Sequence, residues 1–305
     1  MATISAIIPT FHRYEALEDT IKDLLCQTVP PQQIIIADNT TMGDRKRPEY
    51  LSSPAFDRCL YISSSCEGKV NVARNEGLRQ VTADFAVLLD DDMHLHEDFL
   101  ASILQVHSEG WDAVTGVVVE DGEPLDTPAS GNRPLWAVLR HRRRPSRCHT
   151  IAVPSCLISM RTAMIRDLGY LDEAFIYSYD DYDLGFRIWE QGYTLIYDSR
   201  VRANHLKLPM GGSRQTLLGR KRRLNKYTAK YYFLSKHFSR RAVRVEFIND
   251  IMLTLWDGRA NPLRAFEDVF VACKALRQFP KYSGSRGAAI APRIAEKEVV
   301  WPQQL

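Results

Sequence analysis

The stretch Phe85–Met93 reads FAVLLDDDM and decides the fold class. Its five consecutive apolar residues predict a strand that is buried on both faces, as the strands of parallel sheets are. Three aspartates, Asp90, Asp91 and Asp92, follow that strand directly. Because ligands of open α/β sheets bind just beyond the carboxyl ends of the strands, the triplet is predicted to lie at a binding site.

Similar apolar runs recur before and after this stretch. Further strands are predicted at Ser5–Pro9, Gln33–Ala37, Leu60–Ile62, Ala113–Val119 and Thr194–Tyr197, and Ile151–Met160 is also apolar and ordered. Between them, helices are predicted around Leu17–Leu25, over Val70–Val81, from Asp98 to about His107 and over Asp180–Gln191. This alternation predicts an α/β fold with a mostly parallel, Rossmann-like sheet flanked by helices.

The pattern changes after about Arg214, where helices dominate. They are predicted over Arg214–His237, Ala242–Trp256 and Pro262–Phe279. We therefore expect an α/β domain over residues 1–210 and a helical C-terminal extension over 211–305, which would contact a substrate, a membrane or another subunit. Asp121–Arg147 is predicted to be a long loop that acts as a lid.

Composition and charge narrow the class of protein. The 305 residues are 45% hydrophobic and 25% charged, which is typical of a soluble globular protein, and the net charge of +3 argues against a dedicated nucleic-acid binder. Six scattered cysteines predict reduced thiols. With neither a signal-like N-terminus nor an apolar run of about 20 residues, we expect a cytoplasmic protein, with the inner face of the membrane as a place of peripheral contact.

Glycine is absent from the turn after the first predicted strand, since the first glycine of the chain is Gly43. This excludes a P-loop or a dinucleotide-binding fingerprint there, and it disfavours a sugar nucleotidylyltransferase. If a nucleotide binds, its phosphates need another source of positive charge.

The aspartate triplet suggests that this charge is a metal ion. Three adjacent carboxylates repel one another, and a hard cation such as Mn²⁺ or Mg²⁺ bound to a diphosphate would remove the repulsion. The alternative is a solvated acidic turn. His205 follows another predicted strand and could complete the metal site, with His94 and His96 as competing candidates.

A second acidic group, Asp180, Asp181 and Asp183, opens a predicted helix. Acids at that position stabilise the helix dipole, which is sufficient reason for one of them. Because two acids exceed what capping requires, one is a candidate general base for an acceptor hydroxyl.

Taken in order, these segments resemble the inverting glycosyltransferases of family 2, which have the GT-A fold and use nucleotide sugars. The resemblance covers about the first two-thirds of the chain. It rests on IIPTFHR (Ile7–Arg13), LLCQTVPPQQIIIADNT (Leu24–Thr40), GKVNVARNEGL (Gly68–Leu78), LLDDDM (Leu88–Met93), DDYDLGFRIWEQGYTLIYD (Asp180–Asp198) and NHL (Asn204–Leu206).

The resemblance implies a role for each matching position. The donor nucleotide sugar would contact Pro9, Thr10, Arg13, Asp38, Lys69, Arg74, Asn75, Asp90 and Asp91. The metal ligands would be Asp92, His205 and Asp90. Asp181 would be the catalytic base, with Asp180 as the alternative because it replaces the glutamate of the family's usual Glu-Asp pair. Asp38–Thr41 also departs from the usual Asp-Asp-Gly-Ser.

The predicted function is inverting transfer of a hexosyl group from a nucleoside-diphosphate sugar, with UDP or dTDP as the expected nucleotide. The acceptor would be a hydroxyl of a glycan, a lipid-linked sugar or a natural product. Two alternatives stay open. Basic runs at His141–Arg144 and Arg220–Arg223 would suit a nucleotide-sugar, nucleic-acid or anionic-surface binding protein without transferase activity. Paired carboxylates would also suit a glycosidase.

Overall fold

The computed structural model describes residues 2–124, 147–150, 153–176, 178–208, 219–257 and 262–279. Its strands are β1 (Ile4–Thr10), β2 (Gln33–Asp38), β3 (Cys59–Ser63), β4 (Phe85–Leu89), β5 (Met93–Leu95), β6 (Ala113–Glu120), β7 (Glu123–Pro124), β8 (Arg147–His149), β9 (Leu157–Arg161) and β10 (Leu195–His205). Its helices are α1 (Tyr14–Leu25), α2 (Val70–Arg79), α3 (Phe99–Ser108), α4 (Thr162–Asp167), α5 (Asp180–Glu190), α6 (Gly219–His237), α7 (Arg240–Asp257) and α8 (Pro262–Gln278). The α/β class is confirmed.

One half of the sheet is parallel, in the order β3-β2-β1-β4. Its strands are buried on both faces. In β1, Ile4, Ala6 and Ile8 pack into one hydrophobic cluster, and Ile7 packs into the cluster on the opposite face. A continuous apolar strand is therefore needed here, because alternate residues serve different cores.

Beyond β4 the sheet is mixed, so the predicted mostly parallel arrangement describes its first half, and among the described strands of the second half only β6 and β10 pair in parallel. The order continues β4-β9-β6-β10-β5, with β9 antiparallel to both β4 and β6. β10 runs parallel to β6 and antiparallel to β5 and β8. An apolar run predicts a buried strand but not its direction, which depends on how the connections cross the sheet.

β6 and β10 approach each other unusually closely at Gly116. The register of the pair shifts between Tyr197 and Arg202. A Cβ on Gly116 would lie 1.9 Å from the carbonyl oxygen of Val201. Glycine is required at this position because any side chain would collide with the backbone of the irregular segment of β10.

The three C-terminal helices pack on one another and on α5. Their shared core is largely aromatic and contains Phe175, Ala229, Tyr231, Tyr232, Phe233, Leu234, Val243 and Ala275. The buried carboxylate of Asp183 ties α5 to α6, since it lies 2.8 Å from His237 Nε2 and 2.6 Å from Lys236 Nζ. The helical extension is confirmed, while its proposed boundary at residue 210 lies outside the described residues.

Most of the predicted Asp121–Arg147 loop also lies outside the described residues. The five cysteines whose side chains are described, Cys26, Cys59, Cys66, Cys156 and Cys273, are free thiols. None of the described helices combines the length and the apolar character that crossing a bilayer requires.

Candidate functional site

A cleft opens at the carboxyl ends of β1, β2 and β4, beside the end of β10. Its wall contains Pro9, Thr10, Phe11, Arg13, Asn39, Val70, Asp90, Asp91, Asp92 and His205. The predicted aspartate triplet and the predicted histidine thus meet at one edge of the sheet, although more than 100 residues separate them in the chain.

Three of these side chains could hold a metal ion. Ligand atoms of Asp90, Asp92 and His205 all lie within 4.8 Å of one another, and these side chains form the group of potential metal ligands found among the described residues. Of the two competing candidates, His94 instead pairs through Nδ1 with Asp23 at 2.8 Å, and the exposed His96 lies beside His94 with the ring centroids 6.3 Å apart. His205 is therefore the histidine that the fold brings to the triplet.

The spacing of the three ligands fits a hard divalent cation. His205 Nε2 lies 3.1 Å from Asp92 Oδ1 and 4.0 Å from Asp90 Oδ2. In an octahedral site with bonds of about 2.1 Å, ligand atoms are about 3 Å apart when adjacent and about 4 Å apart when opposite. Asp92 is fully buried, and its Oδ1 has no well-directed hydrogen bond from the described residues. A cation would supply the partner that this oxygen needs.

A hydrogen bond to Glu120, which is itself paired with Lys207, orients the imidazole of His205. Its Nδ1 lies 2.6 Å from Glu120 Oε1, and Lys207 Nζ lies 2.6 Å from the other oxygen of Glu120. Since a carboxylate only accepts hydrogen bonds, Nδ1 carries a proton and Nε2 faces the aspartates. Burial opposes the charged imidazole, but the close contact of Nε2 with Asp92 and the charges of Asp90 and Asp92 raise the pKa of His205 to about 9 when no metal is bound.

Arg13 lies against the same carboxylates. Its Nη1 donates to Asp92 Oδ2 at 2.7 Å and to Asp91 Oδ1 at 3.2 Å, and its Nη2 donates to the carbonyl of Leu208 at 2.9 Å. Thr10 Oγ1 donates to the second oxygen of Asp91 at 2.8 Å. Asp91 thereby positions Arg13 and Thr10, and burial raises its pKa to about 7 despite the neighbouring Arg13.

Arg74 links the triplet to the second acidic group. Its Nη2 donates to Asp90 Oδ1 at 2.9 Å, and its Nη1 lies 3.6 Å from Asp180 Oδ2. The guanidinium is almost fully buried on α2. The N-terminus of α5 consequently lies beside the candidate metal group, as a catalytic role of the second acidic group requires.

The two candidate bases have different surroundings. Asp180 pairs with Arg74, whereas Asp181 Oδ1 accepts a hydrogen bond from the backbone of Tyr182 at 2.9 Å. Burial and the adjacent Asp180 raise the pKa of Asp181 to about 7. Two non-glycine residues with left-handed backbones, Ser178 (φ 72°) and Tyr179 (φ 68°), precede them. Such backbone strain often accompanies functional sites.

The third acid of this group, Asp183, stabilises the packing of α5 on α6. Arg187 Nε donates to its Oδ2 at 2.8 Å, in addition to the contacts with α6. Burial opposes the charged form of Asp183, but Arg187, His237 and Lys236 together hold its pKa well below the usual range.

Asp38 ends β2 and is fully buried. Its Oδ2 accepts hydrogen bonds from the hydroxyls of Tyr14 and Tyr61, both at 2.6 Å, and its Oδ1 accepts one from the backbone of Thr40 at 2.9 Å. The neighbouring Asn39 lines the cleft instead. The predicted contact between Asp38 and the nucleotide base stays a prediction, and in this arrangement the carboxylate shapes the turn beneath the cleft.

Lys69 and Asn75 do not belong to the residues that line the cleft. Lys69 is exposed at the start of α2, next to Val70, which does line the cleft. The Asn75 amide donates to Leu171 and Glu173 and accepts from the backbone of Leu171, so it holds the segment before α5. The predicted contacts of Lys69 and Asn75 with the nucleotide sugar stay predictions.

Glu120 and Lys207, which orient His205, were not predicted from the sequence. The available signal was an acid at the end of an apolar strand, in VVVE, and this resembles many ordinary strand ends. The cleft residues Phe11, Asn39 and Val70 were missed for a similar reason, because their residue types carry no distinctive chemistry.

The sequence model of the family described as "Glycosyl transferase family 2" matches residues 5–168 of this chain, which is more than half of its length. The chain belongs to glycosyl transferase family 2. The match contains β1 to β4, the aspartate triplet and β9, and it ends before α5 and His205.

Two relatives of this family 2 chain have names that refer to lipid-linked sugars. The GalNAc(5)-diNAcBac-PP-undecaprenol beta-1,3-glucosyltransferase of Campylobacter jejuni is 32% identical over 117 residues, which is 38% of each chain. The glucosyl-dolichyl phosphate glucuronosyltransferase of Haloferax volcanii is 26% identical over 124 residues, which is 39% of each chain. The alignments therefore span less than half of these relatives.

A third relative and a solved structure extend the comparison. The pre-mycofactocin glycosyltransferase of Mycobacterium tuberculosis is 32% identical over 137 residues, covering 44% of this chain and 29% of its own. A crystal structure of GalNAc-T7 with UDP, GalNAc and Mn²⁺ matches with a TM-score of 0.60 at 11% identity, covering 93% of this chain and 56% of the other. At that identity the match shows the fold, which is of the predicted GT-A type.

Proposed function

We propose that this protein is a metal-dependent glycosyltransferase that moves a sugar from a nucleoside-diphosphate sugar to an acceptor hydroxyl. The observation that carries the proposal is the convergence of Asp90, Asp92 and His205 at the cleft, with ligand spacing suited to a divalent cation. Membership of glycosyl transferase family 2 supports it.

Asp90, Asp92 and His205 would hold Mn²⁺ or Mg²⁺, which when bound supplies Lewis-acid stabilisation of the departing diphosphate. The protein's own cations add to this stabilisation. Arg13 lies beside the triplet, within reach of an anion in the cleft, and Arg74 lies beside Asp90. Fixed positive charges of this kind stabilise negative charge that develops on the leaving group.

Asp181 is the proposed general base. It would take the proton of the acceptor hydroxyl while the oxygen of that hydroxyl bonds to the anomeric carbon and the bond to the diphosphate breaks. A single displacement of this type inverts the anomeric configuration. Burial raises the pKa of both aspartates, but Asp181 has no ion pair with a cation among the described residues, whereas Asp180 pairs with Arg74, and this favours Asp181 as the base.

The donor and acceptor classes follow by analogy. UDP is the first nucleotide to test, with dTDP second, because the structurally similar GalNAc-T7 was crystallised with UDP, GalNAc and Mn²⁺. A hexosyl donor is consistent with the glucosyl and glucuronosyl transfers named for two relatives. The names of these relatives favour a lipid-linked sugar as the acceptor over a free glycan or a natural product.

A thermal-shift screen tests donor binding. Nucleoside diphosphates and their sugars are added with Mn²⁺ or with EDTA, and a ligand at 100 times its Kd should stabilise the protein by about 2.7 kcal/mol. We expect stabilisation only when metal is present. A nucleic-acid or surface-binding protein would give no nucleotide-specific shift, and a glycosidase would hydrolyse its substrate equally well in EDTA.

The base assignment is tested by Asp181→Asn and, for comparison, Asp180→Asn. General base catalysis typically contributes about 10²–10⁴-fold, so Asp181→Asn should lose turnover by that factor while binding the nucleotide with unchanged affinity. Normal turnover of Asp181→Asn together with loss in Asp180→Asn would move the role to Asp180. NMR of the product should show an inverted anomeric carbon.

A further inference from the structure

The exposed face of α7 has a composition unlike that of an ordinary solvated helix. Five of its large apolar side chains are 55% to 64% exposed: Val245, Ile248, Met252, Leu255 and Trp256. Their spacing of three, four, three and one residues places them in a single stripe along the helix. At a rise of 1.5 Å per residue, the stripe is about 16 Å long.

The same face is basic at its N-terminal end. Arg241 and Arg244 are exposed and continue the stripe toward the start of α7. The acids of α7 whose side chains are described, Glu246 and Asp250, are buried on the opposite side, where both pair with Lys230 of α6. Among the described side chains of α7, the outward face therefore combines aliphatic and aromatic groups with arginines and has no acid.

The neighbouring α8 also exposes aromatic rings and a basic side chain. Phe266 and Phe270 are 76% and 50% exposed, and the exposed Lys274 follows them at helical spacing. The guanidinium of Arg220, on α6, lies over the ring of Phe270 at 4.8 Å. Exposed aromatic rings and basic groups thus occur together on a second helix of the same unit.

Charge is distributed unevenly over the whole chain. Helices α6, α7 and α8 contain 13 Lys or Arg and 5 Asp or Glu, whereas the whole protein has a net charge of only +3. Positive charge is therefore concentrated in the helical unit, and the rest of the chain is net acidic. The unit is suited to an anionic partner.

We propose that the outward face of α7 docks on the surface of an anionic lipid bilayer, with its apolar stripe at the level of the acyl-chain boundary and its arginines at the headgroups. An amphipathic helix with basic residues and large apolar side chains binds membranes in this way. Nucleic acid offers no partner for a row of aliphatic side chains. A second copy of the chain would bring two strongly basic units together. The inference does not depend on which sugar is transferred.

Vesicle co-sedimentation tests this inference with the full-length protein. The vesicles contain either phosphatidylcholine alone or phosphatidylcholine with about a third phosphatidylglycerol. We expect binding to the anionic vesicles at low salt, with weaker binding as salt screens the arginines. Removing Arg241 or Arg244 (R241A, R244A) should weaken binding about fivefold for each residue.

The apolar contribution is tested by Met252→Asp, with Met42→Asp as the matched control. Both methionines are exposed, but Met42 lies in the loop after β2. Met252→Asp should abolish binding while leaving the melting temperature and Mn²⁺ affinity unchanged, and Met42→Asp should bind normally. Failure of the wild type to bind anionic vesicles, or normal binding by Met252→Asp, would overturn the inference. A wild-type dimer in sedimentation that Met252→Asp dissociates would assign the face to a second copy instead.

Discussion

At the residue scale, His205 lies between two carboxylates of different function. Asp92 faces its Nε2, and Glu120 accepts from its Nδ1 while pairing with Lys207. Such an outer carboxylate fixes the ring orientation of a metal-binding histidine and increases its basicity. Glu120 is therefore expected to act as a positioning residue for the metal site without touching the substrate.

Replacing Glu120 should weaken metal binding. We expect Glu120→Ala to lower Mn²⁺ affinity by about 10–100-fold, and Glu120→Gln to lose less because its amide oxygen can still accept from Nδ1. Electron paramagnetic resonance of free Mn²⁺ measures the affinity directly. Glu123→Ala, an exposed acid on β7, is the control. Equal affinities for all four proteins would remove Glu120 from this role.

The pH dependence of turnover should report Asp181. Burial and the charge of Asp180 raise its pKa to about 7, and a general base must be deprotonated to act. Turnover under kcat/KM conditions should therefore rise as the pH increases through about 7 and fall away below it. A flat profile between pH 5.5 and 8 would contradict the assignment, provided that nucleotide binding stays constant over that range.

Residue types with distinctive chemistry were identified from the sequence. The triplet Asp90–Asp92 could be selected because three adjacent carboxylates repel one another unless a cation lies between them, and His205 because it matches a metal-binding histidine of the family that the sequence resembles. The side chains that surround these residues could not be identified from the sequence. Arg13 and Thr10 contact Asp91 through side chains from another strand end, and such contacts exist only after the sheet has formed.

At the element scale, the close approach of β6 and β10 determines where His205 lies. A Cβ at position 116 would overlap the Val201 carbonyl oxygen, so a substitution must displace backbone. We expect Gly116→Ala to lower the free energy of unfolding by about 1–3 kcal/mol, which is typical of overpacking.

Gly116→Ala should also weaken Mn²⁺ binding, because β10 ends at His205. Urea denaturation measures the stability, and the Mn²⁺ titration measures the effect on the site. Gly43→Ala is a suitable control, since nothing lies within 4 Å of its added Cβ. A Gly116→Ala protein with wild-type stability and metal affinity would show that β10 is not constrained here.

Elements with a strong apolar period were predicted well, and irregular ones were not. Phe85–Leu89 is the strand that the sequence indicates, with the same bounds. The strand predicted at Thr194–Tyr197 continues to His205. Its second half was not predicted because the apolar pattern breaks at the register shift opposite β6. The short β5 has three residues and pairs with β10, and three residues are too few for a periodic signal.

At the scale of the whole molecule, Asp183 connects the C-terminal helices to α5. It is almost fully buried, and it contacts Arg187 of its own helix together with Lys236 and His237 of α6. The match to the family model ends at residue 168, before this junction. The sequence suggested that a helical extension exists but not where it attaches.

Breaking this junction should destabilise the protein in a pH-dependent way. Removing one partner of a buried ion pair typically costs about 3–5 kcal/mol, and we expect Asp183→Asn to approach that loss at pH 7. Because the folded protein holds the pKa of Asp183 below its usual value, the stabilisation is complete above about pH 4 and is lost as the pH falls further. Urea denaturation from pH 7 to pH 3 measures it, with the exposed Asp19→Asn as control. A constant difference between wild type and Asp183→Asn over this range would contradict the assignment.

Asp90, Asp92 and His205 are proposed to bind a divalent cation that in turn recruits the nucleotide of a donor sugar. Isothermal titration of UDP into the protein, with Mn²⁺ or with EDTA, tests it most directly, and dTDP is titrated in parallel. We expect saturable binding of at least one nucleotide with Mn²⁺, loss of that binding in EDTA, and the same loss in Asp92→Asn with Mn²⁺ present. Nucleotide binding of equal affinity in EDTA, or in Asp92→Asn, would contradict it.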